Sequence, residues 1–413
     1  MGKNILFICG HYAFPAAANS ICVQNLAEEF SKEGHNVYVL SNAPEYSDTI
    51  ETINGVKVWK YYGDFYTHLT PKIKSNKGRL WQLLLKIVQL LRYFIIIWFY
   101  PIASPSDMRK NYKRAKSIIK QYEINTVIAT YMPYDAIKIA IKLKKDYSEK
   151  LRVVSYHLDL LSNPNNESGI IVNAKKRKAK AALTEELKVV DRMLLPNTAS
   201  FIDDKKVEYV DFPLYIPENS NIADDKMTSF FDKSSINVAI VGSLDNNNRN
   251  PYYFCKLLDD LPKVEGKQVV LHIWGKLSGI NLDGYKNVIY HGMAQVEDVP
   301  SILSHSDFLL NIGNLITYRM IPSKIFQMFA AKRPIIMCVS SPDDKSLPYF
   351  EKYGYMCILH QYTLDETRDL NILHSFIKKY MNNSIEVDDG LFENSTPKYI
   401  CGKILEGLLD IKS

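Results

Sequence analysis

Pro322 to Ile336 runs Pro-Ser-Lys-Ile-Phe-Gln-Met-Phe-Ala-Ala-Lys-Arg-Pro-Ile-Ile, and Met337-Cys338-Val339 follows without a break. The first part predicts a helix with one polar residue, Gln327, in an apolar row; Pro334 then ends it. Ile335 to Val339 is a continuous apolar run of the kind that forms a buried parallel strand. Ser323 is placed to cap the helix and Lys324 adds positive charge at its start. Unpaired N–H groups and the helix dipole attract anions at such a point. A plain surface helix of any α/β protein would read the same way, so the surrounding order of elements has to decide.

That order is strand, helix, strand throughout. Upstream, Asn237 to Val241, Val269 to Trp274, Val288 to Tyr290 and Phe308 to Ile312 supply further apolar runs at the spacing of helix-separated units. An earlier series is formed by Asn4 to Cys9, Asn36 to Ser41, Thr126 to Thr130, Arg152 to Tyr156 and Met193 to Leu195, with Val56 to Tyr61 as a possible addition. Helices are expected over 19–33, 136–145 and 175–190. The polar stretch 218–235, which follows Pro213 and Pro217, reads as the linker. With 413 residues the chain exceeds a single core. The expectation is α/β with two Rossmann-like doubly wound domains, 1–215 and 216–397, and a last helix over 398–413 returning to the first. Ligands of such sheets bind beyond the carboxyl ends of the strands.

Those strand ends carry the chemistry. Gly10 to Ser20 links the first strand to the first helix, and small residues such as Ala17 let a ligand approach the backbone. The loop is not GxGxxG, which argues against a dinucleotide oxidoreductase. His157 and Asp159 follow a strand end, where an imidazole and a carboxylate can handle a hydroxyl proton. In the second series Gly242-Ser243 leads to Arg249, whose planar fork suits phosphate oxygens. Gly275-Lys276 follows the next strand, and Lys324 makes a third cation. Asn311 and Asn314, around Gly313, can hydrogen-bond sugar hydroxyls. Glu185 and Glu186 are acidic candidates on a helix, equally explained by a solvated face. No set of carboxylates, histidines or cysteines has metal spacing.

The segment from Pro322 resembles the donor-nucleotide segment of family 4 glycosyltransferases, in the branch whose motif is Pro-Ser-Lys-hydrophobic-aromatic-Glu-Tyr-Met-Ala-small-Gly-Lys-Pro. The resemblance implies the GT-B fold, two such domains facing a central cleft. It implies a retaining transfer from a nucleotide diphosphate sugar, a UDP-sugar by preference, without a cofactor or metal. By the same resemblance Ala17, Gly242, Ser243, Arg249, Lys276, Asn311, Asn314, Ser323, Lys324 and Gln327 surround the donor, and His157, Asp159 and Arg249 act in catalysis. Gln327 stands where the family has a ribose-binding Glu, and Arg319 where it has an earlier Glu. Lys332-Arg333-Pro334 replaces Gly-Lys-Pro, and the loop at Ala17 is Ala-rich where the family has Gly-Gly.

Composition adds a location. Hydrophobic residues make up 46% and charged residues 23% of a chain of net charge +6, which is globular and not disordered. Residues 71–120 hold 12 Lys or Arg against the single acid Asp107, so the rest of the chain is net acidic. Within them Leu80 to Ile97 is apolar except for Gln82, Lys86, Gln89 and Arg92, all on one helical stripe. The segment is too charged to span a bilayer and fits its surface, with Trp81 and Trp98 at headgroup level and anionic lipid as partner. A helix covered by its own domain or by a partner chain is the alternative. No base-reading motif accompanies the charge, so nucleic acid is not expected. Six scattered cysteines without CxxC spacing and the absence of a secretory signal suit a cytoplasmic protein peripheral to the inner membrane. The expected activity is sugar transfer to a lipid-linked or glycan acceptor in bacterial surface polysaccharide synthesis. A GT-B epimerase and a catalytically silent subunit are the rivals, and homo- or hetero-oligomers are possible.

Overall fold

The computed structural model describes residues 2–13, 18–43, 48–61, 78–159, 161, 170–199, 201–217, 229–318 and 320–409. The chain divides into two compact units, residues 1–213 with 394–413, and residues 214–393. The first joint therefore precedes Tyr215. That side chain is fully buried in the second unit, edge-on to Phe392, with its hydroxyl donating to the Asp388 carbonyl. Most of the expected linker, 218–228, lies outside the described residues.

The first unit runs β1 (Asn4–Ile8), α1 (Ala18–Lys32), β2 (Asn36–Asn42), β3 (Thr49–Ile53), β4 (Val56–Tyr61), α2 (Arg79–Phe99), α3 (Pro105–Gln121), β5 (Thr126–Tyr131), α4 (Asp135–Tyr147), β6 (Arg152–His157), α5 (Ile170–Val189), β7 (Arg192–Pro196) and β8 (Val207–Val210). Its eight strands lie in the order β3-β4-β2-β1-β5-β6-β7-β8. All pairs are parallel except β3 with β4. β1 reads Asn-Ile-Leu-Phe-Ile, and its last four residues are buried, as a central strand covered on both faces requires. β3 and β8 escape the apolar-run criterion because they are edge strands: Thr49 to Thr52 are exposed, and β8 buries only Val210. Below the sheet, Asp191 accepts from Lys144 (3.0 Å), Arg152 (3.1 Å) and the Val153 amide (2.7 Å). One carboxylate thereby ties α4, β6 and the start of β7.

The second unit continues with β9 (Ile236–Val241), β10 (Leu244–Asp245), α6 (Tyr252–Asp260), β11 (Val269–Trp274), β12 (Leu277–Ser278), β13 (Val288–Gly292), α7 (Val299–His305), β14 (Phe308–Ile312), α8 (Ile325–Ala330), β15 (Ile335–Cys338), α9 (Leu347–Tyr353), β16 (Met356–Leu359) and α10 (Glu366–Tyr380). Six parallel strands lie in the order β13-β11-β9-β14-β15-β16. The helix expected from Pro322 is shorter than its sequence suggests. Only Ile325 to Ala330 is α-helical, and Lys332 takes a left-handed φ of 51° before Pro334. Gly-free Ala331-Lys332 must make the reversal into β15, which costs the last turn. The last helix, α11 (Pro397–Leu409), belongs to the first unit, where Cys401 lies against the Leu26 carbonyl of α1.

Candidate functional site

In the second unit the chain starts at β9, moves outward to β11 and β13, and returns to the other side of β9 at β14. The carboxyl ends of β9 and β14 are therefore the topological switch point, where open α/β sheets bind ligands. Gly242 and Ser243 leave β9 there, and Gly313 and Asn314 leave β14. Gly275, after β11, has φ 144°, and a Cβ on it would stand 1.9 Å from the Gly242 carbonyl oxygen. Only glycine lets these two loops stack so closely. The short parallel pair β10 and β12 extends the contact.

Arg249 is fixed at this point by the loop that carries it. Asp245 Oδ1 accepts from the amides of Asn247 (3.1 Å) and Asn248 (2.8 Å), which closes the turn. Asn248 then joins the β9 and β14 loops. Its amide nitrogen donates to Asn314 Oδ1 (3.3 Å), its side-chain oxygen accepts from the Ile316 amide (2.8 Å), and its carbonyl accepts from the Leu315 amide (2.9 Å). Arg249 Nε donates to the carbonyl of Ile312, the last residue of β14 (3.2 Å). The remaining fork points at Gly242, with Nη1 3.6 Å from where a Cβ would sit, and Lys324 Nζ reaches within 3.8 Å of the same position.

Two cations thus converge on one glycine. Burial lowers the pKa of both, and for Lys324 the neighbouring Arg249 lowers it further. Asp245 and Asp344 act on Arg249 in the opposite sense. The Asp344 carboxyl is itself pushed up by burial, against the Ser346 hydroxyl and amide (2.6 and 2.9 Å) and Arg249. Its other oxygen would lie 2.7 Å from a Cβ at position 313, so a larger residue there would displace the carboxylate. Partly desolvated like charges held together in this way favour an anionic ligand between or beside them.

Other expected site residues are placed differently. Ser323 does not cap α8: Lys324 occupies the cap position without a side-chain bond, and Ser323 contributes only its carbonyl, to the Phe326 amide (3.4 Å). Asn311 is 2% exposed and its amide donates to Met337 Sδ, so it packs inside the sheet and not toward a ligand. Asn314 serves as the partner of Asn248. Ser243 and Lys276 are exposed at the two stacked loops, and Gln327 is half-buried on α8. Ala17 and Arg319 lie outside the described residues.

In the first unit His157 ends β6 but is 1% exposed, and its Nε2 lies 2.7 Å from Glu186 Oε1. It does not reach solvent as a strand-end side chain was expected to. The two glutamates separate cleanly: Glu185 pairs with Lys138 and Lys145 on the surface, while Glu186 is fully buried. Asp159 is half-buried beyond the strand end. A cavity of about 770 Å³ opens instead at the carboxyl ends of β1, β2 and β5, lined by His11, Asn42, Asp107 and Phe99 among others. Burial lowers the pKa of His11. Gly10 is needed there for packing, since a Cβ would stand 2.5 Å from the Met132 carbonyl oxygen. Its smallness admits the chain at Met132, and it also lines the cavity. Asn248, Asp344 and Asp135, whose carboxylate accepts from the amides of Ala103 and Ser104 (2.8 and 2.9 Å), were not picked out from sequence. The Asp-x-Asn and Asp-x-Ser spacings of local turns were the only available signal.

No family model matches the sequence, and no curated protein matches it. Solved structures do. A glycosyltransferase from Rickettsia africae aligns over 98% of both chains with a TM-score of 0.59 at 11% identity. An α,α-trehalose-phosphate synthase (UDP-forming) from Burkholderia vietnamiensis aligns over 100% of this chain and 99% of its own, with a TM-score of 0.57 at 8% identity. WaaG, a glycosyltransferase involved in lipopolysaccharide biosynthesis, aligns over 97% and 99%, with a TM-score of 0.54 at 11% identity. The fold is GT-B. Within that fold the Arg249–Lys324 pair sits at the switch point of the second unit. Among the described residues, no group of three or more His, Cys, Asp or Glu side chains is arranged to hold a metal ion, and no helix is long and apolar enough to cross a membrane.

Proposed function

We propose that the chain is a glycosyltransferase that moves a sugar from a nucleotide diphosphate sugar to an acceptor hydroxyl. One observation carries this: Arg249 Nη1 and Lys324 Nζ converge on Gly242, at the switch point of a sheet in the GT-B fold. When the bond between the anomeric carbon and the diphosphate oxygen breaks, negative charge builds on the leaving diphosphate. Two fixed, partly desolvated cations stabilise that charge most where it develops. Gly242, Ser243 and Lys276 border the same loops, and Gln327 on α8 is the candidate for the ribose. Asp159 is the candidate to receive the acceptor proton. His157, locked to Glu186, positions the end of β6.

The finer reading is a retaining, metal-independent enzyme of the family 4 type, with a UDP-sugar donor and a lipid-linked or glycan acceptor at the inner face of a bacterial membrane. The UDP and lipid choices are supported by the names of two fold neighbours, one UDP-forming and one involved in lipopolysaccharide biosynthesis. Anionic lipid contacts residues 71–120. A silent subunit remains the second reading, because Gln327 offers one acceptor oxygen where a carboxylate offers two. The test is a screen of nucleotide sugars for loss of the parent compound, with extracted membrane lipid as acceptor. Turnover of one donor only when lipid is present supports the proposal. Donor conversion without acceptor points to an epimerase. No binding of any nucleoside diphosphate at millimolar concentration in calorimetry would leave the silent subunit.

A further inference from the structure

The described apolar residues of helix α2 are largely exposed. Leu80, Leu84, Ile87, Leu91, Phe94 and Trp98 recur at intervals of four and three, one continuous face, and they are between 38% and 81% exposed. The helix also lacks a basic residue in its last turn, so its carbonyl end has no cation of its own. Lys178 of α5 supplies one, donating to the carbonyls of Ile97 (3.0 Å) and Trp98 (2.6 Å). Lys175, one turn earlier, stands over the Tyr100 ring at 5.9 Å, and the Tyr100 hydroxyl donates to the Leu161 carbonyl (3.0 Å). The inner face of α5 is therefore a clamp on the end of α2.

The outer face of α5 has a different composition. Ile170 is 90% exposed at its first turn, and Lys176, Arg177 and Lys180 on the same side are exposed immediately after. None of these three cations is in an ion pair among the described residues, whereas Lys138 and Lys145 beside them share Glu185. An exposed isoleucine followed by exposed cations, next to an exposed apolar helix, matches an interface where hydrocarbon gives way to phosphate.

We infer that α2 and the first half of α5 form one membrane-docking surface, with α2 entering an anionic bilayer and Lys176, Arg177 and Lys180 resting on its headgroups. This deepens the membrane contact proposed above, moving half of it to a helix outside residues 71–120. Phe99, at the clamped end of α2, also lines the 770 Å³ cavity, so a lipid-borne acceptor would find that cavity beside the docked helix. Each basic residue near an anionic surface is worth on the order of a fivefold change in partition.

The experiment is sedimentation of the whole chain with vesicles, either all phosphatidylcholine or seven parts phosphatidylcholine to three parts phosphatidylglycerol, with no nucleotide sugar present. Binding is expected to the anionic vesicles, to fall with added salt, and to fall at least about tenfold in the triple variant Lys176→Gln, Arg177→Gln, Lys180→Gln. Leu84→Ser with Leu91→Ser should abolish it. Circular dichroism and light scattering on each variant separate loss of fold and change of oligomeric state from loss of binding. Unchanged binding by the well-folded triple variant overturns the role of α5. A wild-type dimer that becomes monomeric in the Leu84→Ser, Leu91→Ser variant, without vesicle binding, assigns the face to a second copy and overturns the inference. Since no donor is used, failure here leaves the sugar-transfer reading standing, and the converse holds.

Discussion

Arg249 is costly to place, and the surrounding bonds show what the cost secures. An arginine held by one bond to the Ile312 carbonyl, with a lysine facing the same glycine, raises the free energy of the empty site. An anionic ligand bound between them would relieve it. Arg249→Ala is expected to weaken binding of a nucleoside diphosphate by roughly 10-fold to 100-fold, on a charge-assisted bond of about 1.5–3 kcal/mol. Lys324→Ala should cost less than the same factor once Arg249 is gone, because the two groups oppose each other. Titration calorimetry on the single and double variants measures that coupling, and strictly additive losses would separate the two residues. Gln327→Glu should tighten the same binding severalfold if this side chain meets the ribose, and unchanged affinity would remove it from the site. Arg249 and Lys324 were legible in the sequence because cations just beyond strand ends are unusual enough to notice. Asn311 was misleading: its neighbour Gly313 belongs to the loop, but Asn311 itself is still within β14, where the alternation of the strand turns it toward Met337.

At the level of elements, buried parallel strands were the easiest to read, since both of their faces must be apolar. Edge strands β3 and β8 and the two-residue β10 and β12 carry no such pattern. The extent of α8 was misjudged for a related reason: apolar character shows that a segment is buried, and says little about where its helix stops. On β11 and β13 a different device appears. His272 Nδ1 lies 3.0 Å from His291 Nε2, and His272 Nε2 lies 3.1 Å from the Asn237 side-chain oxygen. Trp274 stacks on His291 at 4.2 Å. Only one proton fits between the two rings, and burial takes His272 from 6.5 down to about 4. A base whose folded pKa is depressed is protonated more readily when unfolded, so its contribution is intact above pH 6.5 and is lost as the pH falls toward 4. Thermal melts between pH 7 and 4.5 should show falling stability, by up to about 3 kcal/mol from this residue. His272→Asn should flatten that slope, and an unchanged slope would place the acid sensitivity elsewhere.

For the whole molecule, the two series of strands predicted two units, and the chain closes the first of them only after completing the second. Ile400, Cys401 and Ile404 of α11 are fully buried and Leu408 is 3% exposed. Ser395 and Asn394 both reach Asp211 at 3.3 Å, just before the first joint. Truncation after Ser395 is expected to lower the stability of the first unit by more than about 4 kcal/mol, from the apolar area exposed on α1 and α11's own partners. Urea titration followed by Trp fluorescence checks this, and an unshifted transition would make α11 an appendage. The basic concentration over 71–120 was readable from composition alone. The cations of α5 were not, because the segment 175–190 shows only a helical pattern and nothing in it points to α2, whose end Lys178 holds.

Six thiols are distributed through both units, and every one is buried. Burial raises each, Cys9 and Cys255 to about 12 and the others further still, so at neutral pH none presents an appreciable thiolate. The native chain is therefore expected to react slowly, if at all, with maleimide reagents. A single cysteine introduced at Leu84 or Ile170 would be its one reactive position, ready to carry a spin label or a fluorophore without removing any natural residue from the interior.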